Sequence, residues 1–441
     1  MNPRFTGRAI SLALLCLVAA PVARAQQSKV KSPKVSSASA KGESAPVKSL
    51  VSVVPVVTPP LVISEFRLRG PAGAEDEFIE IYNTSSAPHT VQASDLTGGY
   101  AVAASDGSVR FLIPNDTTIP GHGHYLGVNS TATTGYSLAA YPAGNGTTAT
   151  GDATYTTDIP DNVGIALFST GDFNSFSAAN RIDSVGPTTE ANPLFKEGTG
   201  LPVRDANSTN YTLYRNLASG LPQDSEDNAS DFVYADTAGT AYNLGCTGLP
   251  AGFACQRLGA PGPENSTSPI FRGSTIKSML LDSSQPSSAS PNRVRDFTPG
   301  PAATSSGGTL SFRRRFVNNT GANVTRLRFR IVDVTTFREN VTSPGTADLR
   351  AVSSTSVVIS GVNDAGTCPS GITPCNVTVQ GTTLETPPAQ PNGGGFNSSL
   401  SAGTVALGTP LAPLASINVQ FVLGVKTAGS FRFFIVVEAL P

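Results

Sequence analysis

Two alternating runs, separated by a turn, constrain the fold more than any other feature of the sequence. Residues 61–66 read Leu-Val-Ile-Ser-Glu-Phe, and residues 76–83 read Asp-Glu-Phe-Ile-Glu-Ile-Tyr-Asn. Apolar residues at every second position are typical of β-strands, because successive side chains of a strand point to opposite faces. Residues 69–73, Arg-Gly-Pro-Ala-Gly, have the composition of a turn. We therefore predict two strands of one sheet, with one face of the pair buried.

The remaining sequence favours β-structure throughout. A chain of 441 residues is too long for one core, so we expect two folded domains. No window of a dozen residues after the N-terminal segment keeps a helical period without Gly, Pro or Asn, and the 43 Gly and 34 Pro indicate frequent turns. We predict an all-β protein with two β-sandwich domains, at residues 61–265 and 266–441.

The first 25 residues have the pattern of a signal peptide. Arg4 and Arg8 precede an apolar run at residues 10–20, and residues 23–25, Ala-Arg-Ala, form a small-x-small cleavage site. No later run reaches the ~18 apolar residues needed to span a bilayer. The sequence therefore predicts export to a secreted, periplasmic or cell-surface location, with no membrane span.

A low-complexity segment follows at residues 26–60. Its Ser, Ala, Val, Pro and Lys residues cannot bury enough apolar surface to fold, so we predict a disordered linker. Its positive charge would also suit a tether to anionic cell-surface polymers, although a solvated linker is favoured. The lysines are Lys29, Lys31, Lys34, Lys41 and Lys48.

Four of the five cysteines lie outside the signal peptide, and they form two near-neighbour pairs. Cys246 precedes Cys255, and Cys368 precedes Cys375, each pair in a loop rich in turn residues. In an exported protein this arrangement predicts two local disulfide bonds. A zinc site would need all four to converge from two domains, and their spacings fit no zinc finger.

Several segments between residues 61 and 265 resemble the bacterial lamin tail domain. The resemblance rests on residues 63–65 (Ile-Ser-Glu), the block at 76–83 and residues 95–98 (Asp-Leu-Thr-Gly). Later segments match in order, at 119–121, 125–126, 162–167, 182–186, 214–215, 224–232 and 261–263. The resemblance implies an immunoglobulin-like β-sandwich that serves as a binding or scaffolding module.

The second domain, residues 266–441, is predicted to be another immunoglobulin-like β-sandwich. Turn residues at 318–321 and at 426–429 predict that the strands flanking each turn form a hairpin. The strand patterns lie at 309–317, 324–334, 351–359, 376–379, 417–425 and 430–440.

An acidic loop near the end of the first domain could hold calcium. Its carboxylates, Asp224, Glu226, Asp227 and Asp231, are the oxygen ligands that Ca²⁺ prefers. The loop lacks the glycine and the final glutamate of a helix–loop–helix calcium site. Asp and Asn could instead bond their own backbone, so a structural loop is favoured over the calcium site.

Two further groups of titratable residues stand out. His122 and His124 would share one face of an extended segment, which suits a metal-binding pair, but His89 is the only other histidine and a structural turn is favoured. Glu77 and Glu80 lie three apart on a strand and point to opposite faces, so they cannot share an acid–base site. We expect these glutamates and Glu65 to be solvent-exposed.

A basic stripe is predicted in the second domain. Arginines alternate with apolar residues along one strand, and two more would lie on the neighbouring strand of the same hairpin. The face would hold Arg313, Arg315, Arg326, Arg328 and Arg330. Such a stripe could bind phosphate or sulfate polymers. The favoured alternative is a solvated face whose arginines pair with acids such as Glu438, since the chain has a net charge of −1.

No catalytic motif is present in the sequence. It lacks the nucleophile elbow, the His-Glu-x-x-His helix, the phosphate-binding loop and the dinucleotide fingerprint, and three histidines leave few general bases. We predict a non-catalytic exported protein that mediates protein or cell-surface contacts, without a cofactor. The alternatives are a binder of extracellular polyanions, either nucleic acid or acidic polysaccharide, and a hydrolase of unrecognised type.

Overall fold

The computed structural model describes residues 59–202, 210–217, 220–238, 257–336 and 345–440. Their regular secondary structure is almost entirely β-strand, which confirms the predicted all-β class. No helix within these ranges is long and apolar enough to cross a membrane. The predicted signal peptide, most of the linker, Cys246 and Cys255 lie outside the described residues.

The first sandwich consists of a seven-stranded sheet, in the order β13-β12-β11-β1-β2-β7-β8, packed on a four-stranded sheet, β10-β9-β4-β5. Its strands, which include the small β3–β6 pair, are β1 Leu61–Arg67, β2 Phe78–Asn83, β3 His89–Thr90, β4 Gly99–Ala104, β5 Ser108–Pro114, β6 Thr118–Ile119, β7 His124–Asn129, β8 Ala153–Tyr155, β9 Ile165–Phe168, β10 Arg181–Val185, β11 Tyr211–Arg215, β12 Phe232–Asp236 and β13 Arg257–Leu258. In the described part of this sandwich, three single-turn helices accompany the strands: the 3₁₀ turns Phe173–Ser175 and Pro193–Phe195 and the α-helical turn α1, Asn228–Asp231.

The second sandwich consists of the sheets β14-β25-β18-β23-β22 and β15-β17-β24-β19, with β16 also paired to β17 and β20–β21 forming a separate ribbon. Its strands are β14 Ile270–Phe271, β15 Ile276–Leu280, β16 Arg293–Asp296, β17 Thr309–Asn318, β18 Arg326–Val334, β19 Asp348–Val352, β20 Val357–Val362, β21 Cys375–Val379, β22 Thr383–Leu384, β23 Ser399–Ser401, β24 Ser416–Thr427 and β25 Phe433–Leu440. The last strand of the first sandwich is β13 and the first strand of the second sandwich is β14, and residue 265 lies between them. Both sandwiches nevertheless lie in one compact unit, Val57–Pro441, so the domain boundary stays a prediction.

The two cores arise from the alternating apolar residues. In the first, Ile63, Ile79 and Phe111 are among the side chains buried between the sheets. In the second, Phe329 packs against Phe421, with ring centroids 4.8 Å apart. Each such side chain stabilises the fold by about 1.5–3 kcal/mol through its burial. The outer face of the seven-stranded sheet is also covered, because Tyr214, Val233 and Ala235 pack into the second core.

The opening pair of strands is confirmed, but its faces differ from the prediction. β1 pairs antiparallel with β2, with a β-bulge between Ile63 and Glu65. The extra residue shifts the alternation, so Phe66 joins Leu61 and Ile63 in the core instead of facing the opposite way. Both faces of β1 and β2 are buried, because the second sandwich covers the face that was expected to meet solvent.

The two hairpins predicted in the second domain are wrong. In the first sandwich, β9 and β10 follow each other along the chain and pair antiparallel. In contrast, β17 and β18 belong to different sheets, as do β24 and β25. The chain crosses the sandwich between β17 and β18, because Val324 pairs with Leu411 and the apolar faces of both strands enter the same core.

The segment at residues 129–155 is more buried than its composition suggests. Leu138, Tyr141 and Ala149 are buried in a small cluster against Phe78 and Leu126 of the seven-stranded sheet. The same segment meets the second sandwich, where Arg326 donates a 3.0 Å hydrogen bond to the carbonyl of Gly144. It is therefore a packing element between the sandwiches.

Gly127 on β7 is expected to tolerate no side chain. A Cβ atom at this position would overlap the ring of Phe111, which stacks on Tyr125 and Tyr155 in the first core. We expect Gly127→Ala to lower the unfolding free energy by about 1–3 kcal/mol through overpacking, as measured by urea denaturation. Gly408→Ala is the matched control, because nothing lies within 4 Å of its Cβ position. Equal stabilities of the two variants would contradict the packing described here.

The Sγ atoms of Cys368 and Cys375 lie at disulfide distance, 2.08 Å apart. The two residues are separated by 7 positions, so the bond closes a short loop beside the β20–β21 ribbon. We expect the double change Cys368→Ser, Cys375→Ser to lower the unfolding free energy by about 2 kcal/mol, because a short loop removes little entropy from the unfolded chain. Ser370→Ala in the same loop is the control. Unchanged stability of the double variant would show that the bond contributes nothing.

Candidate functional site

The interface between the two sandwiches contains a group of nine titratable side chains. Six of them line a cavity of about 30 Å³ that opens between the outer face of the seven-stranded sheet and the β14-β25-β18 face of the second sandwich. We refer to these residues as the interface cluster: Glu65, Glu80, His124, Glu264, Arg326, Arg328, Arg330, Glu385 and Glu438.

Strand register brings the members from each sandwich together. Glu65 on β1 pairs directly with Glu80 on β2. Arg328 and Arg330 lie two residues apart on β18 and therefore share a face, and Arg328 pairs with Glu438 on β25. Each sandwich thus turns a charged face of one of its sheets toward the other sandwich.

His124 lies between two carboxylates. Its Nδ1 is 3.2 Å from Glu80 Oε1, and its Nε2 is 3.2 Å from Glu264 Oε2. Glu80 also accepts hydrogen bonds from the hydroxyl of Ser64, at 2.6 Å, and from the backbone N–H of Glu264, at 2.7 Å. The imidazole ring therefore lies between two buried carboxylates of the cluster.

Two arginines of β18 each bind both Glu264 and Glu438. Glu438 accepts from Arg328 Nε at 2.7 Å and from Arg330 Nε at 2.8 Å. Arg330 Nη2 is 2.7 Å from Glu264, which also contacts Arg328. Arg328 has no exposed surface in its side chain, and that of Arg330 is 3% exposed. The hydrogen bonds to Glu438 join β18 to β25, and the ion pairs with Glu264 connect β18 to the segment that leads out of the first sandwich.

The environment shifts the pKa values of two members in opposite directions. Burial, with a smaller contribution from neighbouring Glu80, raises the pKa of Glu65 to about 7. Burial alone would raise the pKa of Glu438 as well, but Arg330 and Arg328 outweigh it and lower that pKa to about 2. Glu438 is therefore ionised at neutral pH, whereas Glu65 takes up a proton near pH 7.

The cavity is too small for an organic substrate. A volume of about 30 Å³ holds about two water molecules or an ion. Glu80, His124 and Glu264 could supply metal ligands, since their ligand atoms lie within 4.8 Å of one another. However, Glu264 already contacts two guanidinium groups, and the two nitrogens of His124 face different carboxylates. The arrangement therefore resembles a structural ion network more than a metal centre.

A larger groove of about 390 Å³ lies beside the cluster. Its walls come from the loop at residues 144–146 in the first sandwich and from β22 and β23 in the second. Arg326 and Glu385 are its only charged lining residues, and they pair with each other at 2.6 Å. Among the described residues that line the groove, Glu385 is the only carboxylate, and its pairing with Arg326 occupies it.

The predicted basic stripe is wrong. Arg328 and Arg330 are buried in the interface cluster instead of lying on the surface, and Arg326 pairs with Glu385. Pairing with Glu438, the alternative from the sequence, is present, but in a buried setting. The reason is that the charged face of β18 packs on the first sandwich, which supplies Glu264 and covers the strand.

The other two predicted arginines lie elsewhere. Arg313 and Arg315 are on β17, in the opposite sheet from Arg326, and both are partly exposed. Arg313 Nε donates to the side chain of Gln420 at 3.3 Å, and Arg315 Nη1 donates to the carbonyl of Gly366 at 2.7 Å. They therefore form no common stripe with the arginines of β18.

The acidic loop does not form the four-carboxylate calcium site. Asp231 is buried and accepts from Ser225, while Asp227 accepts from the N–H of Thr199 at 2.8 Å. Glu226 points to solvent, with 75% of its side chain exposed. Asp224 lies near Asp183 and Glu197, but Arg215 contacts all three of these carboxylates and supplies their positive charge. The favoured structural interpretation of the loop agrees with these contacts.

The three histidines do not share a site. His122 packs against Phe271, and His89 lies 5.9 Å from the ring of Tyr100, whereas His124 belongs to the interface cluster. No group of potential metal ligands in the described residues includes His89 or His122.

The expectation of solvent-exposed glutamates is wrong, because Glu65, Glu77 and Glu80 are all buried. Glu77 accepts from the side chain of Asn129 and from the N–H of Ile159, away from Glu80, so the two do not share a site. Glu65 and Glu80 do lie together, because the register of β1 against β2 places them directly opposite each other.

Sequence reasoning missed Glu264 and Glu385 as members of the cluster. Neither lies in a strand or a motif, and each reaches the arginines from a connecting segment. The only sequence signal was the alternation of arginines with apolar residues on β18, which also fits a solvated face. No protein-family model matches the chain, and no curated protein or solved structure matches it either.

Proposed function

We propose that the protein is exported and acts as a non-catalytic binding or scaffolding protein that mediates protein or cell-surface contacts. The observation that supports this most is the use of its buried titratable groups. The ion pairs of Glu264 with Arg328 and Arg330 join the two sandwiches, and the cavity beside them has space only for water or an ion. A network of this kind fixes the relative placement of two binding modules rather than turning over a substrate.

Two further points support contact formation. Residues 61–265 carry the resemblance to the bacterial lamin tail domain, which implies a binding or scaffolding module. The groove of about 390 Å³ between the sandwiches has room for a peptide side chain or a sugar unit, and its lining is mostly small or polar.

The pair Cys368 and Cys375 at disulfide distance is compatible with export.

The test combines localisation with binding. Cell fractionation should place the protein outside the cytoplasm, and the purified protein should co-sediment with envelope preparations but stay in the supernatant when no envelopes are added. The same preparation should show no nuclease, glycosidase, esterase or protease activity with or without divalent ions. A cytoplasmic location, or turnover in any of these assays, would contradict the proposal.

The second candidate function is the binding of an extracellular polyanion. The buried Arg328 and Arg330 no longer support it, but Arg313 and Arg315 do, because their guanidinium groups are partly exposed and bond to neutral acceptors. Retention on heparin or double-stranded DNA that falls steeply with rising salt would support this candidate. Absence of retention on both at about 0.1 M salt would reject it.

A further inference from the structure

The groove beside the interface cluster is built by both sandwiches. The loop at residues 144–146 forms one side, and β22, β23 and the loop at residues 402–406 form the other. Its volume of about 390 Å³ lies within the usual range for sites that bind small ligands. The interface cavity, with about 30 Å³, holds only water or an ion. The groove therefore has room for a ligand that the cavity excludes.

Two hydrogen bonds hold the sides of the groove together. Asn145 Nδ2 donates to Thr325 Oγ1 at 2.6 Å. Arg326 Nη1 donates to the carbonyl of Gly144 at 3.0 Å. Each bond joins the first sandwich to the second through residues that line the groove. A site whose walls are fixed in this way loses little conformational entropy when a ligand binds.

Arg326 and Glu385 line the groove as a pair whose hydrogen bonding is incomplete. Arg326 Nη2 donates to Glu385 Oε1 at 2.6 Å. Glu385 Oε2 contacts Arg328 Nη1 at 3.5 Å but forms no hydrogen bond, and the buried Nε of Arg326 forms none either. Glu385 is only 5% exposed. Because a buried donor or acceptor without a partner costs free energy, a ligand group that both accepts and donates would bind favourably here.

The rest of the lining favours a neutral ligand rich in hydroxyl groups. The charges of Arg326 and Glu385 offset each other, so the described lining has no net charge. Hydroxyl-bearing side chains line the groove around this pair, among them Thr383, Thr386 and Ser401. No aromatic ring is among the described lining residues, so hydrogen bonds rather than ring stacking would hold the ligand.

We propose that the groove binds a neutral sugar unit whose adjacent hydroxyl groups bond to Arg326 and Glu385. Adjacent hydroxyls of a sugar ring present an acceptor beside a donor, which matches a guanidinium beside a carboxylate. This inference rests on the function proposed above, and it names the class of cell-surface polymer that the protein contacts.

The test fills the groove without changing the pair. Gly403 lines the groove, and no described atom lies within 4 Å of its Cβ position, so Gly403→Phe adds a ring there. Gly408→Phe is the matched control, because its Cβ position is equally open and it is not among the described lining residues. Cellohexaose, maltohexaose and chitohexaose are titrated into each protein by calorimetry. We expect the wild type and the control to bind at least one of them, and Gly403→Phe to bind it about tenfold more weakly or worse.

A second variant keeps the test valid if the added ring disturbs folding. Thr383→Val removes one hydroxyl from the exposed edge strand β22 and keeps the branched shape of the side chain. We expect it to weaken binding of the same oligosaccharide by about threefold or more, because one hydrogen bond is lost. Its melting temperature should equal that of the wild type.

Co-sedimentation with envelopes separates the site from the proposed function. Equal binding by Gly403→Phe and Gly408→Phe would overturn the sugar site, as would the absence of binding to all three oligosaccharides. If Gly403→Phe loses co-sedimentation while no oligosaccharide binds the wild type, a protein segment occupies the groove, so the function stands and the sugar site fails. If an oligosaccharide binds through the groove while the wild type stays in the supernatant with envelopes present, the site stands and the cell-surface function fails.

Discussion

Replacing Arg330 with methionine is expected to lower the free energy of unfolding by about 3–5 kcal/mol. The side chain is 3% exposed and bonds to both Glu438 and Glu264, which are themselves buried. Methionine would fill a similar volume but leave these carboxylates without one of their two arginines. A buried charge that loses its partner costs far more than the pair contributes, because the remaining group has been removed from water without compensation.

Urea denaturation of the wild type, Arg330→Met and Arg432→Met would check this expectation. Arg432 also pairs with one carboxylate, Asp333, but its side chain is 49% exposed. Water can replace the guanidinium there, so we expect a loss of well under 1 kcal/mol. Similar small losses in both variants would show that the interface cluster does not hold the two sandwiches together.

The strands whose pairing depends on neighbouring residues were predictable from the sequence. The turn between β1 and β2 and the turn between β9 and β10 lead directly from one strand into its partner. The limits of β17 also follow from its alternation, which predicted residues 309–317 against the observed Thr309–Asn318. Local alternation and turn composition are sufficient for these features, because both are properties of a few consecutive residues.

The sheet assignment of the later strands depends on distant residues. A turn such as 318–321 can join two strands of one sheet or lead across a sandwich, and here it lies between strands of different sheets, with Val324 paired to the distant Leu411. The bulge at Ile63 and Glu65 has a similar effect, because one extra residue reverses which side chains face the core. Neither feature has a signal within the strand itself.

The interface cluster could be predicted only in part. Arginines that alternate with apolar residues fit either a solvated face or a buried ion network. The choice depends on Glu264 and on the packing of the first sandwich over β18, both remote in sequence. For the same reason the burial of Glu65 and Glu80 escaped prediction, since a strand with one charged face usually turns that face to water.

The stability of the protein is expected to fall as pH rises from about 5 to about 8. Glu77 is fully buried, and burial raises its pKa to about 8, although hydrogen bonds from Asn129 and Ile159 offset part of the increase. In the unfolded chain a glutamate has a pKa near 4.3. Between these two pKa values the folded state holds a proton that the unfolded state has lost. The stability that the protonated Glu77 contributes is therefore complete below about pH 4.3 and disappears as pH rises through 8. Glu65 and Glu197, with pKa values raised to about 7 and about 9, act in the same direction.

Glu77→Gln would isolate the contribution of one carboxyl, because the amide cannot ionise. One proton corresponds to a slope of about 1.4 kcal/mol per pH unit in the free energy of unfolding. Between pH 5 and 7.5, the free energy of unfolding of the variant should therefore fall with pH less steeply than that of the wild type, by about this amount. The measurement is a series of urea denaturations across that range, with Glu226→Gln as the control because its side chain is 75% exposed. Glu438, whose pKa is lowered to about 2, acts in the opposite direction, but only below about pH 4.3, outside the chosen window. Equal slopes for the wild type and Glu77→Gln would mean that the Glu77 carboxyl is ionised in the folded protein at pH 5, and that hydrogen bonds from Asn129 and Ile159 outweigh its burial.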